Sequence, residues 1–310
     1  MPSKHSSIHI PHLISFCDQF ELRNPNRHCR SVTAASKKWA IATLALNDDE
    51  RRGLPGLELG LLASLCYPTC DSSQLLLVTQ FLILMVRWVD RTTSLDAAAF
   101  DQIWGHLSRT SHPAWQRRFQ GHLHAFRMAR SRAARDNEAG ITADLESYIT
   151  LRQDSSGVKL LFDLIEYAVG LHISSEAYAS PILSRLRHDA VNIVAWSSDV
   201  ASYAQKQARG DRHNLVAVLM EEKRLTAQGA SDAAGALIKD MMDMFHANEQ
   251  TLLSEHAVRL NPDVRRYVQG LRDWIVGFMH WIYNTERFFG ESAEEVRAFG
   301  WVFLPPNMGT

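Results

Sequence analysis

Apolar residues recur every three to four positions along almost the whole chain, which is the spacing of amphipathic helices. The pattern predicts helices over 32–47, 56–66, 72–91, 95–109, 112–134, 139–153, 156–171, 179–208, 212–228, 230–258 and 262–290. Pro55, Pro68, Pro113, Pro181 and Pro262 fall near predicted helix starts or loops, where a missing N–H costs least. No run of apolar–polar alternation flanked by hairpin turns is evident, so no sheet is assigned. The stretches Leu75–Val89 and Trp274–Phe289 are apolar on nearly every face. Such helices belong inside a bundle, with amphipathic helices packed around them and a core or cavity between. No linker-like composition shift, repeat or low-complexity tract breaks the pattern. The expectation is an all-α fold with one domain over 1–310, in which residues 1–30 form a partly ordered strap across the cavity.

Composition narrows the picture. The chain has 310 residues, enough for a large core, and a formal net charge of −1. No global field therefore argues for nucleic acid or an anionic membrane surface. The four cysteines, Cys17, Cys29, Cys66 and Cys70, lie early in the chain without the second Cys/His cluster of a zinc site, and read as reduced and structural. His5, His9, His12 and His28 have no standard metal spacing. The N-terminus lacks the apolar core of a signal peptide, and the most apolar run contains Thr79, Gln80 and Arg87 and is shorter than the ~20 residues of a membrane span. A cytoplasmic location and no membrane partner follow as the default.

Four segments carry candidate chemistry. The first is Phe81-Leu-Ile-Leu-Met-Val-Arg-Trp-Val-Asp90-Arg-Thr-Thr-Ser94-Leu-Asp96, an apolar helix that ends on acid. Alone, Asp90 also reads as a charged helix end. The second is Tyr148-Ile-Thr-Leu-Arg152 followed by Ser155, Ser156 and Gly157, and it precedes Ser198 by 46 residues (198 − 152). There a forked guanidinium suits phosphate oxygens, although a helix-terminal Arg with a Ser-Ser-Gly cap would look the same. The third is Trp281-Ile-Tyr-Asn-Thr-Glu-Arg287-Phe288, which alone reads equally as an aromatic core helix with a surface Arg. Between them lies Ser198-Asp199-Val-Ala-Ser202-Tyr-Ala-Gln-Lys206, then Gln207-Ala-Arg-Gly210-Asp211-Arg-His-Asn214-Leu-Val.

Taken in this order, the segments resemble the motifs of class I terpene synthases. That family carries an aspartate-rich Asp-Asp/Glu-x-x-Asp helix end, Tyr-x-x-x-Arg with a helix break, Asn-Asp-x-x-Ser-x-x-Lys-Glu followed by Ala-x-Gly-Asp, and a C-terminal Arg-Tyr. The resemblance covers 81–288 and is similar to microbial sesquiterpene cyclases, within them to the fungal humulene-type enzymes. It implies a helical bundle with a central active-site cavity, and magnesium-triggered ionisation of a prenyl diphosphate such as farnesyl diphosphate. It assigns metal contacts to Asp90, Ser198, Asp199 and Ser202. It assigns diphosphate or substrate contacts to Arg152, Ser155, Ser156, Ser198, Ser202, Lys206, Arg287, Trp88 and Trp281, with Asp90, Arg152, Lys206 and Arg287 as the catalytic set. Family members are monomers or homodimers.

The departures are as informative. Arg91 and Ser94 replace the second and third acids of the first motif, Ser198 replaces Asn, Phe288 replaces Tyr, and Lys206 replaces the Glu ligand. Ser198, Ser202 and Lys206 recur at i, i+4 and i+8 and so share a helix face. An ammonium and a magnesium ion repel at one site, so fewer tightly held ions than the family norm are expected, with Lys206 as a counter-charge. Phe81, Phe162 and Trp196 are further cavity-lining candidates besides Trp88 and Trp281; each reads equally as core. Alternatives to a cyclase are a chain-elongating prenyltransferase, a non-catalytic prenyl-diphosphate binder, and a helical interaction protein.

Overall fold

The chain folds, in this computed structural model, into helices α1 (Cys29–Thr43), α2 (Asp48–Gly53), α3 (Leu59–Cys66), α4 (Ser72–Asp90), α5 (Ala97–Thr110), α6 (Pro113–Glu138), α7 (Leu145–Ser155), α8 (Val158–Val169), α9 (Ser175–Tyr178), α10 (Pro181–Ala208), α11 (Leu215–Lys223), α12 (Ala227–Ser254), α13 (Pro262–Ile282), α14 (Glu286–Phe289) and α15 (Ala293–Phe299). The structure describes residues 6–91, 96–254 and 261–306. Side-chain caps set many of the helix starts. Asn47 and Glu50 exchange side-chain and backbone bonds in a capping box at α2, and Asp144, Ser180 and Asn261 cap α7, α10 and α13.

The two all-apolar stretches are central, as their sequence requires. Leu75, Val78, Phe81 and Leu84 of α4 are fully buried, as are Leu271, Ile275 and Met279 of α13. By length and composition α4 could cross a membrane, but here its apolar faces are consumed by the bundle. Helix α13 packs on α3 and α10, α10 runs along α12, and α6 lies against α7. One contiguous hydrophobic cluster extends from Ile8 to Leu304.

Three expectations change. First, there is a small sheet: Ser6–His9 (β1) pairs antiparallel with Trp301–Leu304 (β2), Ser6 opposite Leu304. Each strand has four residues and its partner lies at the other end of the chain, so no local hairpin signal marks it. Second, the 262–290 helix breaks after Ile282, because Thr285 caps Arg287 N and also donates to the Gly56 and Leu57 carbonyls (3.0 and 3.1 Å). Third, none of residues 6–30 is among the walls of the cavity described below, and the segment packs on the bundle. Its Ile8, Ile10, Leu13 and Phe20 are buried, Leu13 N donates to the Tyr283 hydroxyl (3.3 Å), and Arg23 pairs with Asp273 (3.2 Å).

Candidate active site

Four elements converge at one end of a narrow cavity: the end of α4, the α7–α8 break, the middle of α10, and α14. Asp90, the last residue of α4, meets Arg287 of α14 in a two-bonded pair, Nη1 to Oδ2 at 2.8 Å and Nη2 to Oδ1 at 2.7 Å. Arg287 is held in place from behind, since Gln205 Nε2 donates to the carbonyls of Arg287 and Phe288 (2.8 and 3.0 Å). The other charged groups near this helix end face elsewhere. Buried Arg87 binds Asp96 (2.8 Å) and Glu50 (2.6 Å), and Arg91 also reaches Glu50. Asp96 is thus taken by Arg87 and does not join Asp90; Ser94 lies outside the described residues.

The α7–α8 break brings the second segment to the same place. Gly157 has φ +75°, and a Cβ there would lie 2.2 Å from Met85 Cε, so this sharp turn against α4 requires glycine. Before the turn, Arg152 is buried and forks onto Asp199, Nε to Oδ2 at 3.2 Å and Nη2 to Oδ1 at 2.9 Å. The Tyr148 hydroxyl donates to the same carboxylate, and Leu215 N approaches it at 3.4 Å. Burial works against the Arg152 charge, but Asp199 more than restores it and the guanidinium pKa rises. The Tyr148 phenol is pushed well up by burial and by Asp199.

Helix α10 departs from the assigned roles. Asp199 is fully buried and its oxygens are occupied by Tyr148, Arg152 and Leu215, which does not fit the metal contact assigned to it; it is the anchor that orients Arg152. Ser202 Oγ turns back to the Asp199 carbonyl (3.5 Å). Lys206 Nζ donates to the His213 carbonyl (2.6 Å) and stands 3.5 Å from Asp211, so it closes the loop that follows α10. Burial pushes the Lys206 pKa down, Asp199 and Asp211 oppose, and Arg152 and Arg130 add to the depression. His213 is driven well below the usual histidine range by burial and by Arg152, Lys206 and Arg130, so the imidazole is neutral. Its Nε2 lies 2.8 Å from Ser155 Oγ, and Ser155 is fully buried. Ser155 therefore supports the break and is not a substrate contact, whereas Ser156 faces the cavity.

The cavity holds about 100 Å³ and is walled by Leu82, Met85, Val86 and Val89 of α4, by Val194, Ala195 and Ser198 of α10, and by Trp274, Phe278 and Trp281 of α13, with Arg152, Ser156, Arg287 and Phe288 at the polar end. Trp281 Nε1 is tied to the Leu57 and Glu58 carbonyls (3.0 and 3.1 Å), and its ring meets Phe288 edge-on at 5.7 Å. Of the predicted contacts, Arg152, Ser156, Ser198, Trp281 and Arg287 reach this space, and Asp90 joins through Arg287. Ser155, Asp199, Ser202 and Lys206 are not among the walls. Neither is Trp88, which packs against Phe81, Phe100 and Phe126 on the other side of α4. Phe81, Phe162 and Trp196 likewise belong to the core. Trp274 and Phe278 are aromatic walls that the motifs do not single out. The i, i+4, i+7 spacing of Trp274, Phe278 and Trp281 is the signal that marks them.

Among the described residues, no three His, Cys, Asp or Glu side chains group closely enough to hold a metal ion. The donor set supports one hard-cation contact, at Asp90, whose carboxylate remains 45% exposed. It does not fit a second on α10, where the hydroxyls are neutral, Asp199 is consumed and Lys206 is cationic.

An apolar cavity with aromatic walls and two guanidinium groups in its lining has the chemistry to take a molecule with an anionic head and an apolar tail. The known proteins agree. Residues 90–244 match the family model described as terpene synthase family 2, C-terminal metal binding. Sesquiterpene synthase Agr1 of Cyclocybe aegerita is 35% identical over 97% of this chain and 94% of its own length. Alpha-muurolene synthase of Coprinopsis cinerea is 31% identical over 94% of this chain and 76% of its length. Among solved structures, α-eudesmol synthase superposes with a TM-score of 0.74 at 20% identity, covering 85% of this chain and 98% of its own. Hedycaryol synthase in complex with nerolidol superposes at 0.75 and 21%, covering 88% and 100%. The all-α class I fold is thereby established. The chain belongs to the terpene synthase family and is a terpene cyclase.

Proposed function

We propose that this cyclase ionises farnesyl diphosphate and closes the resulting allylic cation to a C15 hydrocarbon. The observation that supports it most is the polarity of the cavity: Arg152, Arg287 and Ser198 at one end, Trp274, Phe278 and Trp281 along the wall. The relatives named as sesquiterpene synthases support the chain length.

The C–O bond breaks with both electrons leaving on the diphosphate. Arg152, preorganised by Asp199, and Arg287, preorganised by Asp90, offer fixed N–H donors to that developing charge. Lys206 adds a fixed positive charge behind them, in place of an ion on α10. The divalent cation that the family implies would be held at Asp90 together with substrate oxygens, where it supplies Lewis-acid stabilisation of the leaving group. The faces of Trp274, Phe278 and Trp281 stabilise cationic carbon, and the apolar walls keep water from quenching it. The last cation loses a proton, which the released diphosphate accepts. At about 100 Å³ the cavity is smaller than the roughly 300–1,000 Å³ usual for ligand sites, so entry of the prenyl tail requires flexible walls such as Met85 to move aside. The proposed setting is cytosolic, with prenyl diphosphate as the partner molecule.

The test is incubation of purified protein with farnesyl diphosphate, with magnesium and separately with EDTA, followed by gas chromatography–mass spectrometry. A cyclic C15 hydrocarbon is expected with magnesium. Persistence of the product in EDTA would assign ionisation to the fixed cations alone. Absence of product in both, with diphosphate binding intact, would favour a non-catalytic binder, the reading to which the depleted metal donors point. Lys206→Glu should raise the metal requirement, and an unchanged rate and metal requirement would remove Lys206 from the site.

A further inference from the structure

Arg130 lies on α6, in a stretch without any phosphate-binding motif. Its Nη2 donates to the Val89 carbonyl at 2.7 Å. Val89 lines the cavity and precedes Asp90, so this bond fixes the guanidinium beside the end of α4.

The charges at this end are otherwise matched. Arg287 has Asp90 at 2.7 Å, Arg152 has Asp199 at 2.9 Å, and Lys206 has Asp211 at 3.5 Å. Arg130 is half-buried and, among the described residues, has no carboxylate within ion-pair distance. A guanidinium offers five N–H donors, and among the described residues Arg130 makes one hydrogen bond, to the Val89 carbonyl. Burial and Arg152 oppose its charge, while Asp211 and Asp90 favour it from further away. An enclosed cation beside another cation is costly unless an anion joins both.

We propose that Arg130 is a further ligand of the substrate diphosphate, and that with Lys206 it supplies the positive charge that α10 no longer recruits as a metal ion. The inference rests on the proposed function above and adds a residue to it. A diphosphate at the Arg152–Arg287 end would meet the unused edge of the Arg130 fork and relieve its repulsion with Arg152. It also explains why α10 can carry a lysine where a metal ligand would stand: Arg130 meets the anion from α6, while Lys206, tied to the His213 carbonyl, adds its charge from behind the cavity wall. The position of Arg130 does not depend on that anion, because the Val89 carbonyl holds it in the free enzyme.

The experiment is calorimetric titration of inorganic diphosphate into the wild-type chain, Arg130→Gln and Arg130→Lys, with magnesium and with EDTA, alongside urea unfolding of each protein. Loss of a charge-assisted contact predicts ~10–100-fold weaker diphosphate binding for Arg130→Gln, larger in EDTA than in magnesium. Arg130→Lys keeps the charge but loses the fork, and should bind ~3–10-fold more weakly than wild type. With farnesyl diphosphate, kcat should fall along with affinity. Equal diphosphate affinity of wild type and Arg130→Gln overturns the role of Arg130 while leaving the proposed function intact. Failure of the wild type itself to bind diphosphate overturns both. Should Arg130→Gln not fold, Arg130→Lys decides: an affinity equal to wild type in EDTA overturns the inference.

Discussion

Asp199→Asn separates an anchoring carboxylate from a metal-binding one. Asp199 is fully buried and accepts from Tyr148, from two nitrogens of Arg152 and from Leu215 N. Asparagine keeps the shape but removes the charge, and its NH2 group must face a donor. Arg152, itself buried, is left without its counter-ion. Breaking a buried ion pair by removing one partner costs about 3–5 kcal/mol. With 310 residues and an unfolding entropy of about 2.1 cal/mol/K per residue, that loss lowers Tm by roughly 5–8 °C. The assay is thermal unfolding followed by circular dichroism, in EDTA and in magnesium, where the drop should be the same in both. A metal ligand would behave differently: stability in EDTA would be unchanged or improved, and only the gain from magnesium would shrink. A Tm in EDTA within about 2 °C of wild type would refute the anchoring role, given the expected 3–5 kcal/mol.

Three further outcomes are expected. Gly157→Ala places a methyl group 2.2 Å from Met85 Cε at φ +75°, so it should lose about 1–3 kcal/mol in urea unfolding and alter the product profile through Met85. Glu166 of α8 is pushed up to about 7 by burial, with Arg118 opposing and Asp163 adding. Its folded value exceeds the ordinary value of 4.5, so stability should fall as pH rises between those two values, and Glu166→Gln should remove that slope; parallel pH profiles would refute this. Trp281→Ala removes a cavity wall and its bonds to the Leu57 and Glu58 carbonyls, costing about 3–5 kcal/mol and admitting water, so terpene alcohol should appear at the expense of hydrocarbon in the extract.

Periodicity made the helical layers legible, because amphipathic spacing is a local property that the bundle satisfies helix by helix. The two all-apolar stretches are buried in the centre as α4 and α13. Motif order placed Arg152, Ser198 and Arg287 at one site, but it carried no direction for individual side chains. Ser155 and Ser156 are adjacent, yet one points to His213 and the other to the cavity, a difference set by the turn at Gly157. Trp88 and Val89 are separated in the same way by the face of α4. Asp199 could not be told from a ligand, because its partners Tyr148 and Arg152 lie on another helix. Arg130 was illegible for the same reason, since its meaning comes from a carbonyl on α4. The β1–β2 pairing was the least accessible of all, joining opposite ends of the chain.

That pairing gives the fold a clasp. Ile10 N bonds to the Gly300 carbonyl just beyond β1, and Gly300, at φ +72°, admits the His9 ring where a side chain would collide. Topologically the polypeptide behaves as a ring fastened by one short ribbon. Clipping either strand would strip the other of its ladder, and Ile8 and Leu304 would lose cover together. Conversely, joining the termini through a flexible connector and reopening the ring in a distant surface loop would preserve every helix that surrounds the cavity.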